Sequence, residues 1–174
     1  MGTPRFDIIG QLPALRRYAR SLTRDATEAE DLVHDALLRA YDRRSTFRVG
    51  ARPLPWLLSI LHSTFIDGLR SRRAAKRRED GLAREAEDGY APSQEHAVRL
   101  GQVRKAFEML PDDQRAALHL VAIEGLSYQD AAEALDVPVG TVMSRIGRAR
   151  AALRAMEDAV PERPVLRIVG GQDD

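Results

Sequence analysis

Between Asp136 and Glu157 the chain carries Arg145, Arg148, Arg150 and Arg154 and no acid. Guanidinium groups are rigid forks of N–H donors that pair with phosphate oxygens or with the guanine edge in a major groove. Val142, Ile146, Ala149 and Leu153 recur at helical spacing, which puts Thr141, Ser144, Arg145 and Arg148 on the opposite face. A merely solvated helix mixes signs to gain i,i+4 pairs, whereas a face of one sign suits a polyanion. Gly140, Thr141 and Ser144 keep the leading end slim, so its free N–H groups can approach phosphate closely. Arg150 and Arg154 lie further along and suit backbone phosphates.

Such a face works only if other elements hold it. Tyr128 to Leu135 reads as a short helix, capped by Ser127 with Asp130 three residues on and Leu126 as a hydrophobic staple. The arginine-bearing helix is expected from Pro138 to Met156, so about three residues separate the two. That is the turn length of a DNA-binding helix-turn-helix. Asp136 is the residue expected to take the left-handed conformation the turn needs. Gly147 is left with one use, close packing against a neighbouring helix, at about 1 kcal/mol relative to alanine. Upstream, Val98, Val103, Ala106, Phe107 and Leu110 are core candidates of another helix. Pro111 is expected to open the next, which ends at Gly125.

The first part of the chain has its own helical pattern. Leu12, Leu15, Tyr18, Ala19 and Leu22 form one stripe; Ala29, Leu32, Val33, Ala36, Leu37 and Ala40 form a second. Thr27 is expected to cap the second helix, with Glu30 as the reciprocal partner. A polar loop from Phe47 to Pro53 precedes a third helix whose buried side holds Trp56, Leu57, Ile60, Leu61, Thr64, Phe65 and Leu69. His62 sits beside that stripe, open to either a surface or a binding role.

The fold class is therefore all-α, as two small helical domains: residues 6–75 and 97–156, joined by an acidic flexible linker over 76–96. The tail, 157–174, contains "PVLRIV", which reads equally as a strand or an extended peptide. With no cysteine, disulfides, thiolate nucleophiles and Cys-type zinc sites are excluded. The histidines His34, His62, His96 and His119 are scattered and no glycine-rich phosphate loop occurs, so an enzyme is disfavoured and no cofactor is expected. Glu28, Glu30, Asp31 and Asp35 read as a helix first turn and a docking face rather than a metal site. No apolar run reaches the roughly 20 residues of a bilayer span, and no signal peptide precedes the first helix, so a cytoplasmic protein without membrane insertion is expected.

"PVGTVMSRIGRARAAL" and "LPDDQRAALHLVAIEGLSYQDAAEALDVP" resemble region 4 of the extracytoplasmic-function (ECF) group of bacterial sigma factors. "TEAEDLVHDALLRAYDR" and "PLPWLLSILHSTFIDGLRSRR" resemble region 2. "LPALRRYARSL" and "DLVHDALLRA" are further similar to the alphaproteobacterial general-stress-response subgroup, which a small anti-sigma protein controls. The resemblance implies binding to core RNA polymerase and promoter DNA. Asp31, Leu32, Asp35, Leu38 and Arg39 would meet polymerase. Phe47, His62, Ser63, Asp67 and Arg70 would handle the −10 element, where a captured base needs stacking groups and cations. Gly140, Thr141, Ser144, Arg145 and Arg148 would meet the −35 element. His62 and Ser63 stand where the family often has Asn or Arg, so the −10 sequence does not carry over. Two rival readings use the same residues: a stand-alone helix-turn-helix regulator, and a sigma-like decoy that titrates an anti-sigma factor.

Overall fold

In the computed structural model, which describes residues 8–48, 50–76 and 95–158, helix α1 (Leu12–Thr23) turns Leu15, Tyr18, Ala19 and Leu22 inward. It stops at Arg24, which adopts a left-handed φ of 61°. Helix α2 (Ala26–Asp42) begins at once, capped by Asp25, whose carboxylate accepts the Glu28 N–H at 2.8 Å. The cap expected at Thr27 thus falls two residues earlier. The chain must reverse directly after Thr23, and Asp25 is the extended residue at that corner. Glu30 reaches across to Arg16 of α1 at 3.0 Å instead of closing a capping box. A short 3-10 turn (Arg44–Thr46) and Gly50, at φ +87°, lead into α3 (Pro53–Lys76). Leu57, Leu58, Ile60, Leu61 and Phe65 of α3 are buried against α1 and α2.

The second block comprises α4 (Glu95–Glu108), α5 (Asp112–Leu118) with a π-helical turn (His119–Ile123), α6 (Tyr128–Leu135) and α7 (Val139–Asp158). Pro111 occupies the cap position of α5 rather than its first helical residue. Gly125, at φ +70°, lets the Leu126 N–H return to the Leu120 carbonyl at 3.0 Å. Ser127 accepts the Asp130 N–H at 3.0 Å and Leu126 is buried, as the capping pattern requires. Asp136 takes φ 51° and ψ 50°, so the turn into α7 uses the residue expected. Pro138 lies just before α7.

Two core expectations change. Val103 is 54% exposed, because α4 rests on the rest of the block through Phe107, with Leu110 buried just beyond its end. A Cβ added at Gly147 would meet nothing within 4 Å, so no neighbouring helix accounts for that glycine. Val98 lies outside the residues whose side chains are described, as do most of the expected linker and the tail from residue 159.

The two blocks share one continuous apolar core. Helices α1 and α3 pack against α5, α6 and the π turn. Arg115 of α5 is 0% exposed at this seam. Its guanidinium donates to the carbonyls of Ser21 and Leu22, in the last turn of α1, and to Leu110 O at 2.7 Å and Asp112 Oδ1 at 2.7 Å. Helix C-termini carry carbonyls without intrahelical partners and partial negative charge. Arg115 therefore caps α1 from the other block. Beside it, Arg17 holds Glu124 with two hydrogen bonds, at 3.0 and 2.7 Å, and His119 Nε2 lies 3.0 Å from the same carboxylate. Buried Tyr18 meets both histidines of the seam: its hydroxyl lies 3.0 Å from His62 Nδ1, and its ring centroid 5.2 Å from that of His119.

Replacing Arg115 by Met leaves the α1 carbonyls buried and unpaired. Urea unfolding should show a loss of about 3 kcal/mol, which Lys in place of Met does not restore, lacking the fork. The histidines add a pH dependence. Burial, and secondarily the Arg145 charge, pushes His62 down to about 4; burial also lowers His119, outweighing Glu124. The fold holds these rings neutral while the unfolded chain protonates them below about pH 6.5. Stability is thus full above that pH and falls as pH drops toward 4. Denaturant midpoints measured across this range should fall with acid, and His62→Gln should flatten the slope.

Candidate nucleic-acid interface

Helix α7 buries Val142, Ile146 and Ala149, each at 2% exposure or less, against α5 and α6. Gly140, Ser144 and Arg148 consequently face out, with Thr141 half-buried at their side. Ser144 Oγ donates to the Thr141 carbonyl at 3.1 Å, which draws it onto the helix. A Cβ at Gly140 would meet nothing, so the leading end is open to a close approach. Arg145 differs from the rest of its set. Its Nε pairs with Asp113 Oδ2 at 3.1 Å, and its side chain is only 22% exposed.

The −10 set lies on α3 and the loop before it. Phe47 meets Trp56 edge to face, with centroids 5.2 Å apart. Both line a cavity of about 460 Å³ with Arg48 and Arg52, and α6 closes it with Asp130 and Glu133. Arg52 forms an ion pair with Asp130. That carboxylate sits below its ordinary pKa, through Ser127 first and then Arg52. Ser63 Oγ donates to the Ile60 carbonyl at 2.9 Å, and Arg70 is exposed. Asp67 pairs with Arg39 at 2.8 Å, joining a residue of the −10 set to one of the polymerase set. His62 belongs to the seam, bonded to Tyr18 and close enough to feel the Arg145 charge. The packing therefore brings a residue expected at the −10 element within electrostatic reach of one expected at the −35 element.

The polymerase set lies along α2. Asp31 and Asp35 are exposed, Arg39 is half-buried, and Leu38 stands 54% exposed. Leu32 turns into the core at 9% exposure, because it sits on the same stripe as Val33 and Ala36. Tyr41, one turn beyond Leu38, is 62% exposed and carries Arg44 over its ring at 4.3 Å. The i,i+3 spacing from Leu38 was the available signal for it.

Sequence reasoning also missed the acids. Asp113 and Asp130 each hold an arginine of a DNA-facing set or its loop, and both stand in first turns of helices, where acids are common anyway. Among the described residues, no cluster of three or more His, Asp or Glu is placed to hold a metal, and no helix is long and apolar enough to cross a membrane.

Comparisons with known proteins agree with this layout. Residues 9–75 match the model for sigma-70 region 2, and residues 100–153 the model for sigma-70 region 4. The chain is 38% identical over 173 residues to the ECF RNA polymerase sigma factor EcfG of Rhodopseudomonas palustris, covering 96% of this chain and 95% of that protein. It is 36% identical over 140 residues to the RNA polymerase sigma-H factor of Pseudomonas aeruginosa, covering 74% of this chain and 72% of that protein. Among solved structures, it resembles the sigma factor RpoE of Bartonella quintana, solved in complex with the anti-sigma factor NepR. The TM-score is 0.76 at 35% identity, over 89% of this chain and 96% of that one. Both helical blocks and the helix-turn-helix they position thus have counterparts in these relatives, and the chain belongs to the ECF group of RNA polymerase sigma factors.

Proposed function

We propose that the chain joins core RNA polymerase in the cytoplasm and directs it to promoters, with α7 reading the −35 element and the α3 block handling the −10 element. The observation that carries this reading is the outer face of α7. It is exposed, slim at its leading end, and cationic through Arg148, Arg150 and Arg154, with no acid before Glu157. Arg148 is placed for bidentate contact with a guanine edge or for phosphate. The cavity between Phe47, Trp56 and the loop arginines suits an unstacked base. The exposed Leu38 and Tyr41, flanked by Asp35 and Arg39, suit docking to polymerase. The chain itself performs no catalytic step; the chemistry is that of polymerase.

The packing described above is a stored form in this reading. The two promoter elements are roughly 25 base pairs apart, about 85 Å at 3.4 Å per pair. A body of 174 residues is only roughly 40 Å across. One packed body therefore does not reach both elements, and the seam has to open on promoter DNA. The same seam ties Arg52 to Asp130, so a loop cation is neutralised while it is closed, whereas Asp113 holds Arg145 within its own block. The resemblance to RpoE, which is solved with NepR, extends over both blocks and supports control of this chain by a small anti-sigma protein of the general-stress-response type.

Run-off transcription with core polymerase tests the reading. Promoter-dependent transcripts should appear only when chain and core are combined; specific DNA binding without polymerase would favour a stand-alone regulator instead. Arg148→Ala should lower output from −35-dependent templates about tenfold, the weight of one bidentate contact. Leu38→Asp should instead weaken core binding in a pull-down while leaving the urea midpoint of the free chain unchanged, since Leu38 is exposed.

A further inference from the structure

Met143 is 58% exposed on α7, a helix whose buried stripe is complete without it. The glycine one turn later is unexplained by the fold as well. Gly147 is exposed, its backbone φ is not left-handed, and a Cβ there would meet nothing. Glycine weakens a helix relative to alanine, so neither packing nor backbone geometry favours it at this position.

The two residues make sense together. A helical side chain leans toward the N-terminus and covers the turn before it. A side chain at position 147 would therefore lie over Met143, and glycine leaves the thioether bare. The surroundings identify what it meets. Arg150 and Arg154 follow Gly147 on the same side of the helix, Ser144 and Arg148 stand exposed further round it, and no acid intervenes before Glu157. A partner for that face is a polyanion, yet it must also offer an apolar group within reach of the helix. Duplex DNA has one such group in its major groove, the C5-methyl of thymine. Methionine, unbranched and polarisable, adapts to a small methyl better than a stiff β-branched side chain does.

We propose that Met143 packs on the C5-methyl of a thymine in the −35 element, with Gly147 holding the helix surface low enough for that contact. The proposal rests on the promoter-reading function given above and adds a specificity-determining residue to it.

The test exchanges thymine for deoxyuridine, which removes only the methyl. Holoenzyme made from the full chain and core polymerase first selects its best template from a pool randomised across the −35 region. Each thymine of the selected element is then replaced singly by deoxyuridine, and run-off transcription at limiting template is compared for wild type and variants. Wild type should lose about fourfold at one thymine, the effect of burying one methyl. Met143→Ala should start from the lower level and lose nothing further at that thymine. Met143→Leu should keep the discrimination, and Met143→Gln should lose it. Gly147→Leu should depress transcription from the thymine template while raising the urea midpoint, since it removes the helix cost of glycine. The proposal is overturned if the selected element contains no thymine, if every deoxyuridine exchange affects wild type and Met143→Ala equally, or if Met143→Ala depresses all templates alike, which would place the residue against protein. If no upstream sequence is enriched at all, the promoter-reading function itself falls with it.

Discussion

A single buried guanidinium organises this molecule. Arg115 reaches from α5 into the C-terminal turn of α1 and satisfies carbonyls that helix geometry leaves without partners. Burying that charge is tolerable only because the donors find acceptors on both sides: Leu110 and Asp112 in its own block, Ser21 and Leu22 in the other. Everything that crosses the seam, including the Tyr18–His62 bond and the Arg17–Glu124 pair, sits within the register that Arg115 sets.

The ion pairs around the seam are of a different kind. Arg24–Asp112 and Arg52–Asp130 are largely exposed, and such pairs contribute about 0–1 kcal/mol each. Their effect falls on recognition more than on stability. In the function proposed above, Arg52 must exchange Asp130 for a phosphate or a base edge, so closure discounts DNA binding without much strengthening the fold. In that same proposed function, polymerase docking on α2 meets no such carboxylate at Leu38 and Tyr41, which stay exposed with the seam closed. The order this suggests is docking first and DNA second.

Much of the local structure was legible because it follows rules acting within a few residues. The Ser127 cap, the left-handed Asp136 and the apolar stripes of α1, α3 and α7 all depend on neighbours in sequence. The cap of α2 was misplaced because Asp25 and Thr27 are both capping residues and only the tertiary corner after Thr23 chooses between them. Arg115 was invisible for a deeper reason. In "DDQRAAL" an arginine reads as helix surface, and nothing local says that another helix will end against it. The exposure of Val103 and the emptiness around Gly147 likewise depend on which faces find neighbours. Of the residues assigned by resemblance, those on the outer face of α7 and on α2 were readable from periodicity. The bond of His62 to Tyr18 and the pairing of Arg145 with Asp113 were not, since each joins different helices.

The central claim is that the closed packing is the stored form and that promoter engagement separates the two blocks. The chain lacks cysteine, so a pair of spin labels can be placed without background. His34 on α2 and Ala155 near the end of α7 are both exposed, and Cys at each takes a label outside the seam. Pulsed dipolar spectroscopy on the free chain should give one narrow, short distance. On promoter DNA with core polymerase, that population should vanish in favour of one longer by tens of ångströms, as elements roughly 85 Å apart require. An unchanged distance in the promoter complex, or a long and broad distribution already present in the free chain, would contradict the account.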